Sequence, residues 1–372
     1  MIKKSKKKID YFLFGIIASI LLFGILILTS ISAPHAANFT KRNLDQIIPA
    51  FFLKHQILFG LIPGLILAYI ASRISLEKIR KIAPILFFMN LIVVGLVFVP
   101  QLGIEIQGAK RWLSLGFTSV QPSEFLKLTF ILYLATWLTS KTKKSNNKKQ
   151  TLGGLFVIIG LISLLLILQP DIGTLGVIIA TGSIMYFIAD TPLFHSIILA
   201  LIEFGGLYFL INVASYRVQR IKVFLNPELD PLGAGYQMKQ ALISIGSGGI
   251  TGRGLGMSIQ KFGFVPEPIS DSIFALYAEE TGLIGAVILI SLFIVFFIRS
   301  IYVGISSKDT FFKLTAFGIS FWIILQAFVN IGAIIGILPL TGIPLPFISY
   351  GGTALLTELI GVGILLNISR HI

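Results

Sequence analysis

The chain has 372 residues, 55% of them apolar, with a formal net charge of +14 and a mean hydropathy of +0.91. Its polar residues are too few to coat that much apolar surface, which excludes a water-soluble globular domain. Cysteine is absent, which excludes disulfides and thiolate metal sites, and His35, His55, His195 and His371 have no ligand spacing.

By the length rule of about 17–25 apolar residues per span, about ten runs can cross a bilayer as helices. They fall at 11–32, 54–72, 84–99, 122–138, 151–169, 172–188, 194–213, 271–298, 312–336 and 351–369. Barrel strands are shorter and alternate in polarity, whereas these runs are continuously apolar. The expectation is an all-α polytopic membrane bundle, with a basic tail over 1–10 and one transmembrane domain over 11–372. Lys3, Lys4, Lys6, Lys7 and Lys8 precede the first run. That run is longer than a signal h-region, and Pro34-His35-Ala36-Ala37 is a poor cleavage site, so it reads as a retained helix.

Further on, Arg73, Lys78, Arg80 and Lys81 follow the second run. Lys141, Lys143, Lys144, Lys148 and Lys149 follow the fourth, and Arg299, Lys308, Lys313 and Arg370 flank the last three. With the N-terminus inside, this is the positive-inside pattern, and both termini come out cytoplasmic. The run 141–149 is a topological signal of this kind, aided by anionic lipid, rather than a nucleic-acid patch.

Other cations fall on the side that topology disfavours. Lys110 and Arg111 follow the third run, while Arg217, Arg220, Lys222, Arg253 and Lys261 lie between the seventh and eighth. Snorkelling accounts for any one of them; the set points to an anionic ligand such as phosphate. The stretch 214–270 is the longest non-spanning segment, too apolar and glycine-rich for a soluble domain. Its glycines at 246–256 lack the Gly-Lys-Ser/Thr of a nucleotide loop. They suit short amphipathic or re-entrant pieces in which backbone passes close to its neighbours.

The acids have competing readings. Glu124 and Lys127, three apart on a helix, share a face and can pair, as structural glue or as part of a site. Asp171 stands where a helix begins and reads first as a cap, second as a site-shaping residue. Glu203, Glu279, Glu280 and Glu358 lie inside spans and face the bundle interior or water. Asp271 opens the eighth run, with Glu267 four residues earlier. Ser270 can cap that helix by itself, and two acids in a shielded cleft raise one pKa towards general-base range.

Several stretches resemble the SEDS family (shape, elongation, division and sporulation), the FtsW/RodA/SpoVE peptidoglycan polymerases. They are Gly108–Trp112, Gln121–Lys127, Gln169–Gly173, Asp230–Gln237, Gly254–Lys261, Pro266–Asp271 and Pro344–Gly352, in family order from about residue 10 to the end. The Gly-Leu-Gly-Met-Ser-Ile-Gln-Lys and Pro-Leu-Pro-Phe-Ile-Ser-Tyr stretches look more like the FtsW (division) branch than the RodA branch. The family usually reads Pro-Glu-x-His-Thr-Asp-Phe before the eighth span. Here Ile269, Ser270 and Ser272 replace His, Thr and Phe, and Thr341 stands where many FtsW sequences carry Lys.

The resemblance implies a glycosyltransferase that polymerises lipid II at the outer face of the bacterial cytoplasmic membrane. The growing glycan on undecaprenyl pyrophosphate is the donor, and the sugar 4-hydroxyl of an incoming lipid II is the acceptor. Asp271 is then the base for inverting displacement, tuned by Glu267. Lys110, Arg111, Lys127, Arg217, Arg220, Gln237, Lys261 and Ser349 are expected to bind substrate, and Glu124 and Asp171 to shape the site. No cofactor is required; a divalent cation (Mg or Mn) bridging carboxylate and pyrophosphate is compatible with these residues but specified by none. The implied partner is a class B penicillin-binding protein, with other divisome or elongasome proteins. The competing function is a transporter that flips lipid II, drawing on the buried glutamates. A RodA-type elongation polymerase and a structural anchor of the wall machinery are further alternatives.

Overall fold

The computed structural model describes residues 8–42, 51–106, 108–116, 118–144, 148–189 and 191–372. The lysines at 3–7 lie outside the described residues, as do the side chains of the 141–149 run. Each of the ten apolar runs is a helix. In chain order they are α1 (Tyr11–Arg42), α2 (Phe51–Arg73), α3 (Leu76–Leu96), α4 (Pro122–Lys144), α5 (Lys148–Leu168), α6 (Ile172–Ile188) and α7 (Leu193–Val213). Then follow two shorter helices, α8 (Ser215–Leu225) and α9 (Ala234–Gly248), and finally α10 (Ile273–Ser306), α11 (Thr310–Ile334) and α12 (Gly352–Ser369).

Among the described residues, α1 over Tyr11–Ser32, α2, α3, α7, α10, α11 and α12 are long and apolar enough to cross a membrane. The apolar parts of α5 and α6 are shorter, and α4 carries Glu124 and Lys127 within its first two turns. Helix α3 starts eight residues before its apolar run. Ser75 caps it, its hydroxyl accepting from Lys78 N at 3.4 Å, and the charged first turns conceal its start from hydropathy. Between α3 and α4 the sequence reading missed a three-stranded antiparallel sheet, β1 (Gly103–Ile106), β2 (Ala109–Ser114) and β3 (Ser119–Val120), in that order.

One hydrophobic core runs through the helices. Helix α11 packs on α4, α6 and α10, while α1 and α9 pack on α10. Close approach of α2 to α12 uses Gly60-x-x-x-Gly64: a Cβ on Gly64 would lie 2.6 Å from Leu359 Cδ1, and one on Gly363 would lie 2.3 Å from the Ala68 carbonyl oxygen. Small residues let helices meet this way in lipid, where no hydrophobic drive between them exists.

The bundle has two distinct ends. At one, Arg299 pairs with Asp10 at 2.7 Å, Asp10 N donates to Ser369 Oγ, and Asn367 donates to the carbonyls of Ala71 and Ile74. Asp10 and Ser369 therefore lie together, on the end that also carries Arg73, Lys78, Arg80, Lys308 and Lys313. The opposite end holds the sheet, the corner at 169–171 and the segments 214–271 and 335–352.

Helix α10 is broken at Gly282 (φ 67°, ψ −166°), a backbone region that only glycine enters freely. The break removes the helical bonds that Leu283 N and Ile284 N would give to Glu279 O and Glu280 O. The glycine-rich stretch replaces all four groups' partners. Arg253 N and Gly254 N donate to Glu279 O and Glu280 O, both at 3.0 Å, and Leu283 N and Ile284 N donate to Gly249 O and Ile250 O. The expected re-entrant piece is thus a hairpin of backbone set against a helix.

The same contacts fix its depth. From Glu280 to Arg299, and from Asp10 to Ser30 beside Glu280, the helices rise about 30 Å, the thickness of a bilayer's hydrocarbon core. Asp271 and the first two turns of α10 stand beyond that level. Gly252→Ala, at φ +80° with its Cβ 2.3 Å from Glu280 O, is expected to cost about 2–5 kcal/mol. Gly246→Ala, with nothing within 4 Å, should leave stability unchanged or raised. Thermal unfolding of the detergent-solubilised protein checks both.

Candidate active site

Asp271 lies in a non-helical stretch, 266–272, that climbs from the hairpin to the start of α10. Its shape comes from Glu267 at φ 49°, whose carbonyl accepts from Ser270 N and Ser272 N, each at 3.2 Å. Three bonds from two other elements pin the segment's backbone. Tyr350 N donates to Ile269 O at 2.8 Å, Ser349 Oγ to Ser270 O at 2.6 Å, and Asn330 Nδ2 to Asp271 O at 2.9 Å. These bonds take backbone carbonyls, so they do not depend on which side chains occupy 269, 270 and 272. Ile269 is buried, and the Ser272 hydroxyl accepts from Gln237 at 3.1 Å.

The Asp271 carboxylate does not cap α10, whose first residue follows Ser272 without any side-chain cap. It is 9% exposed. Its Oδ2 accepts from Gln237 Nε2 at 3.2 Å, and Oδ1 accepts no hydrogen bond among the described residues. Burial pushes its pKa up to about 6, and the Glu267 charge pushes the same way. The Gln237 amide and the backbone N–H groups of Asp271 and Ser272 pull down. The result is an acid shielded from water, without a cation on it, and ionised at neutral pH. Glu267 itself is exposed.

The remaining expected site residues fall into three groups. Gln237 and Ser349 are brought to the Asp271 segment by the bonds above. Arg111 and Asp171 share the corner at 169–171: the Arg111 guanidinium donates to Gln169 O at 3.1 Å and to Pro170 O. Asp171 caps α6 through Thr174 N at 3.3 Å, and its other oxygen accepts from Ser123 Oγ at 3.1 Å. The cap reading holds, with an added tie to α4. Lys110 is exposed on β2, Arg220 is exposed on α8 with a bond to Leu340 O at 3.3 Å, and half-buried Arg217 donates to Leu210 O at 2.7 Å.

The third group is buried. Lys127 pairs with Glu124 at 2.8 Å and donates to Gln326 Oε1 at 2.7 Å. Gln326 donates in turn to Pro344 O and Glu358, and Glu358 accepts from Phe347 N at 2.8 Å. This network supports the 344–350 loop from below. Lys261 also differs from a surface phosphate contact. It is 5% exposed, and its ammonium binds Glu280 at 3.1 Å, Gly256 O at 2.6 Å and Ser30 O at 3.2 Å. The wider loop leaves an ammonium no water, so it takes a buried carboxylate instead. Glu279 accepts from Ser244, Ser258 and Ile259 N, and Glu203 accepts from Ser183.

Sequence reasoning missed Asn330, Gln56 and Gln326. Gln56 donates to Ser349 O at 3.3 Å and accepts from Gly351 N at 3.0 Å, which holds the loop that holds Asp271. A lone amide in an apolar run was the available signal, since burial there demands a partner. No group of three or more His, Cys, Asp or Glu able to hold a metal occurs among the described residues.

Fold and site together define a polytopic helical membrane protein with a shielded acid at the end opposite Asp10 and Ser369. Residues 11–372 match the FtsW/RodA/SpoVE family, described as cell cycle protein. Stage V sporulation protein E of Bacillus subtilis (strain 168) is 39% identical over 321 residues, 86% of this chain and 87% of that protein. A probable peptidoglycan glycosyltransferase FtsW of Coxiella burnetii is 39% identical over 324 residues, 86% of each. A solved structure concerning the coordination of polymerization and crosslinking by a peptidoglycan synthase complex superposes with a TM-score of 0.76 at 26% identity, over 97% of this chain and 98% of that one. A mutant of the rod-shape-determining protein RodA of Thermus thermophilus gives 0.69 at 25%, over 97% of each chain. The chain belongs to the FtsW/RodA/SpoVE family.

Removing one partner of the buried Lys261–Glu280 pair strands a charge. Lys261→Met should therefore cost about 3–5 kcal/mol, and adding Glu280→Gln should recover most of it. Paired unfolding measurements on the single and double variants check this.

Proposed function

We propose that this chain is a peptidoglycan glycosyltransferase that polymerises lipid II at the outer face of the bacterial cytoplasmic membrane, in septal wall synthesis. The observation that carries it is the Asp271 carboxylate: one oxygen held by Gln237, the other without a hydrogen bond among the described residues, at the end away from the basic belt and the Asp10–Ser369 contact. The positive-inside rule makes that end extracytoplasmic. Residues 11–372 then act as one transmembrane domain.

In this reading Asp271 takes the proton of the acceptor 4-hydroxyl as its oxygen bonds to the donor's anomeric carbon. The bond from that carbon to the diphosphate oxygen breaks, with inversion, and the pair of electrons leaves on undecaprenyl pyrophosphate. Lys110, Arg111, Arg217 and Arg220, on the same end, are suited to the leaving charge. Glu267 keeps Asp271 basic enough to work near neutral pH. A divalent cation would find Asp271, Glu267 and the substrate's own phosphates as ligands, and no step here requires it. Lys127 and Lys261 support the site from within the bundle.

The transporter alternative rested on Glu203, Glu279, Glu280 and Glu358. Each of these accepts a hydrogen bond or ion pair from a neighbouring element, and no observation favours a translocation path through them. The relative found in a peptidoglycan synthase complex supports a cross-linking transpeptidase of the class B penicillin-binding type as partner.

Two outcomes test the reading with purified protein, partner and lipid II. Asp271→Ala should lower glycan formation by about 10²–10⁴-fold while the protein remains folded; intact polymerisation would end the proposal. The base must be ionised, and a carboxyl raised to about 6 is protonated below that value. The wild-type rate should therefore hold above about pH 6 and fall roughly tenfold per unit below it, as a pH–rate profile would record.

A further inference from the structure

This inference rests on the glycosyltransferase reading and adds a residue to it. We propose that Asn330 is the positioning residue for Asp271, a clamp on α11 that fixes the direction in which the reacting carboxylate points.

Asn330 is 2% exposed and lies one turn before the end of α11. Its amide nitrogen spends both hydrogens on two separate stretches, Asp271 O at 2.9 Å and Ile343 O at 2.8 Å. The stretch 266–272 has no helix or sheet of its own, so its rigidity comes from outside. Of the three bonds that pin it, those from Tyr350 N and Ser349 Oγ come from another loop and land on residues 269 and 270. Of these three, the Asn330 bond alone lands on the backbone of the reacting residue and comes from a helix, while Gln237 on α9 holds the Asp271 side chain. That helix is anchored: Asp309 caps its first turn at 2.8 Å from Phe311 N, and it packs on α4, α6 and α10.

Holding the Asp271 carbonyl fixes the peptide plane after its Cα, and with it the exit direction of the side chain. The Ile343 bond draws the same plane against the loop that carries Ser349. No residue of similar volume gives two donors from one atom; Asp and Leu give none.

The groups facing Asp271 are few. Its own segment brings Glu267, α9 brings neutral Gln237, α11 brings Asn330, and the 343–350 loop brings Ser349; the Tyr350 hydroxyl turns instead to His55 Nδ1 on α2 at 3.0 Å. Burial pushes the Tyr350 phenol up to about 12, so it stays neutral. A carboxylate at 330 would be a second negative charge on the base.

The test uses full-length protein with its transpeptidase partner and lipid II and compares wild type, Asp271→Ala, Asn330→Asp, Asn330→Ser and the two double variants with Asp271→Ala over pH 5–8. Asn330→Asp should lower kcat about 10²-fold, leave KM within about threefold, and move the acid limb up by about one unit. Asn330→Ser keeps one donor and should lose about tenfold in kcat with the limb unmoved. In the Asp271→Ala background neither change should lower the residual rate further.

A role in folding alone would scale every rate with the folded fraction and leave the limb and KM in place, which would overturn the proposal. Wild-type kcat in Asn330→Ser would overturn it too, and decides the matter if Asn330→Asp does not elute as a single folded species. Wild-type protein that makes no glycan would end the underlying reading, and this inference with it. Active wild type, dead Asp271→Ala and unaffected Asn330 variants would end this inference alone.

Discussion

In hydrocarbon a backbone N–H or C=O without a partner costs several kcal/mol, and the break in α10 at Gly282 creates four of them. The chain meets that cost by laying 249–254 against the break, so that two lost helical bonds become four bonds to a hairpin. Once the hairpin is fixed there, the rest of the rim follows. The chain after it must climb along α1, where Lys261 finds Glu280 and Ser30, before turning at Glu267 into the stretch that presents Asp271. The glycines at 252 and 282 are required because a Cβ on Gly252 would press into the backbone of Glu280 and Thr281, and one on Gly282 into the backbone of Gly252 and Ile250.

Three buried acids in this protein show how partners decide what a carboxylate does. Glu124 has Lys127 and Glu280 has Lys261, each at about 3 Å, so their charges are consumed in holding helices together. Asp271 has an uncharged amide on one oxygen, and burial rather than a cation governs it. A neutral donor steadies the ion without quenching its basicity. That contrast separates a group able to exchange a proton from groups that only bind.

Much of this was legible in the chain. Continuous apolar runs gave the ten helices, and the cap at Asp171 and the glycine-rich close approach followed from local chemistry. The motif stretches around Gln237, Ser349 and Asp271 meet in space although more than a hundred residues separate the first from the second. Three things were hidden. The start of α3 was masked by its charged first turns. The sheet at 103–120 was masked by short strands with a bulge after Ile104. Lys261 read as a surface cation because spacing says nothing of depth. Asn330, Gln56 and Gln326 were hidden for a related reason: a single amide in an apolar run advertises that a partner exists and not which one.

The two ion pairs Asp10–Arg299 and Lys261–Glu280 stand about 30 Å apart along the same pair of helices, α1 and α10, and behave as rivets through a sheet of fixed gauge. Because both are polar and neither can enter the acyl region cheaply, the span between them selects a bilayer of matching thickness. A thinner membrane is met by leaning the whole bundle and a thicker one by thinning the lipid around it, and the lean carries the Asp271 rim with it. Lipid composition thereby becomes a mechanical input to the height at which the carboxylate stands.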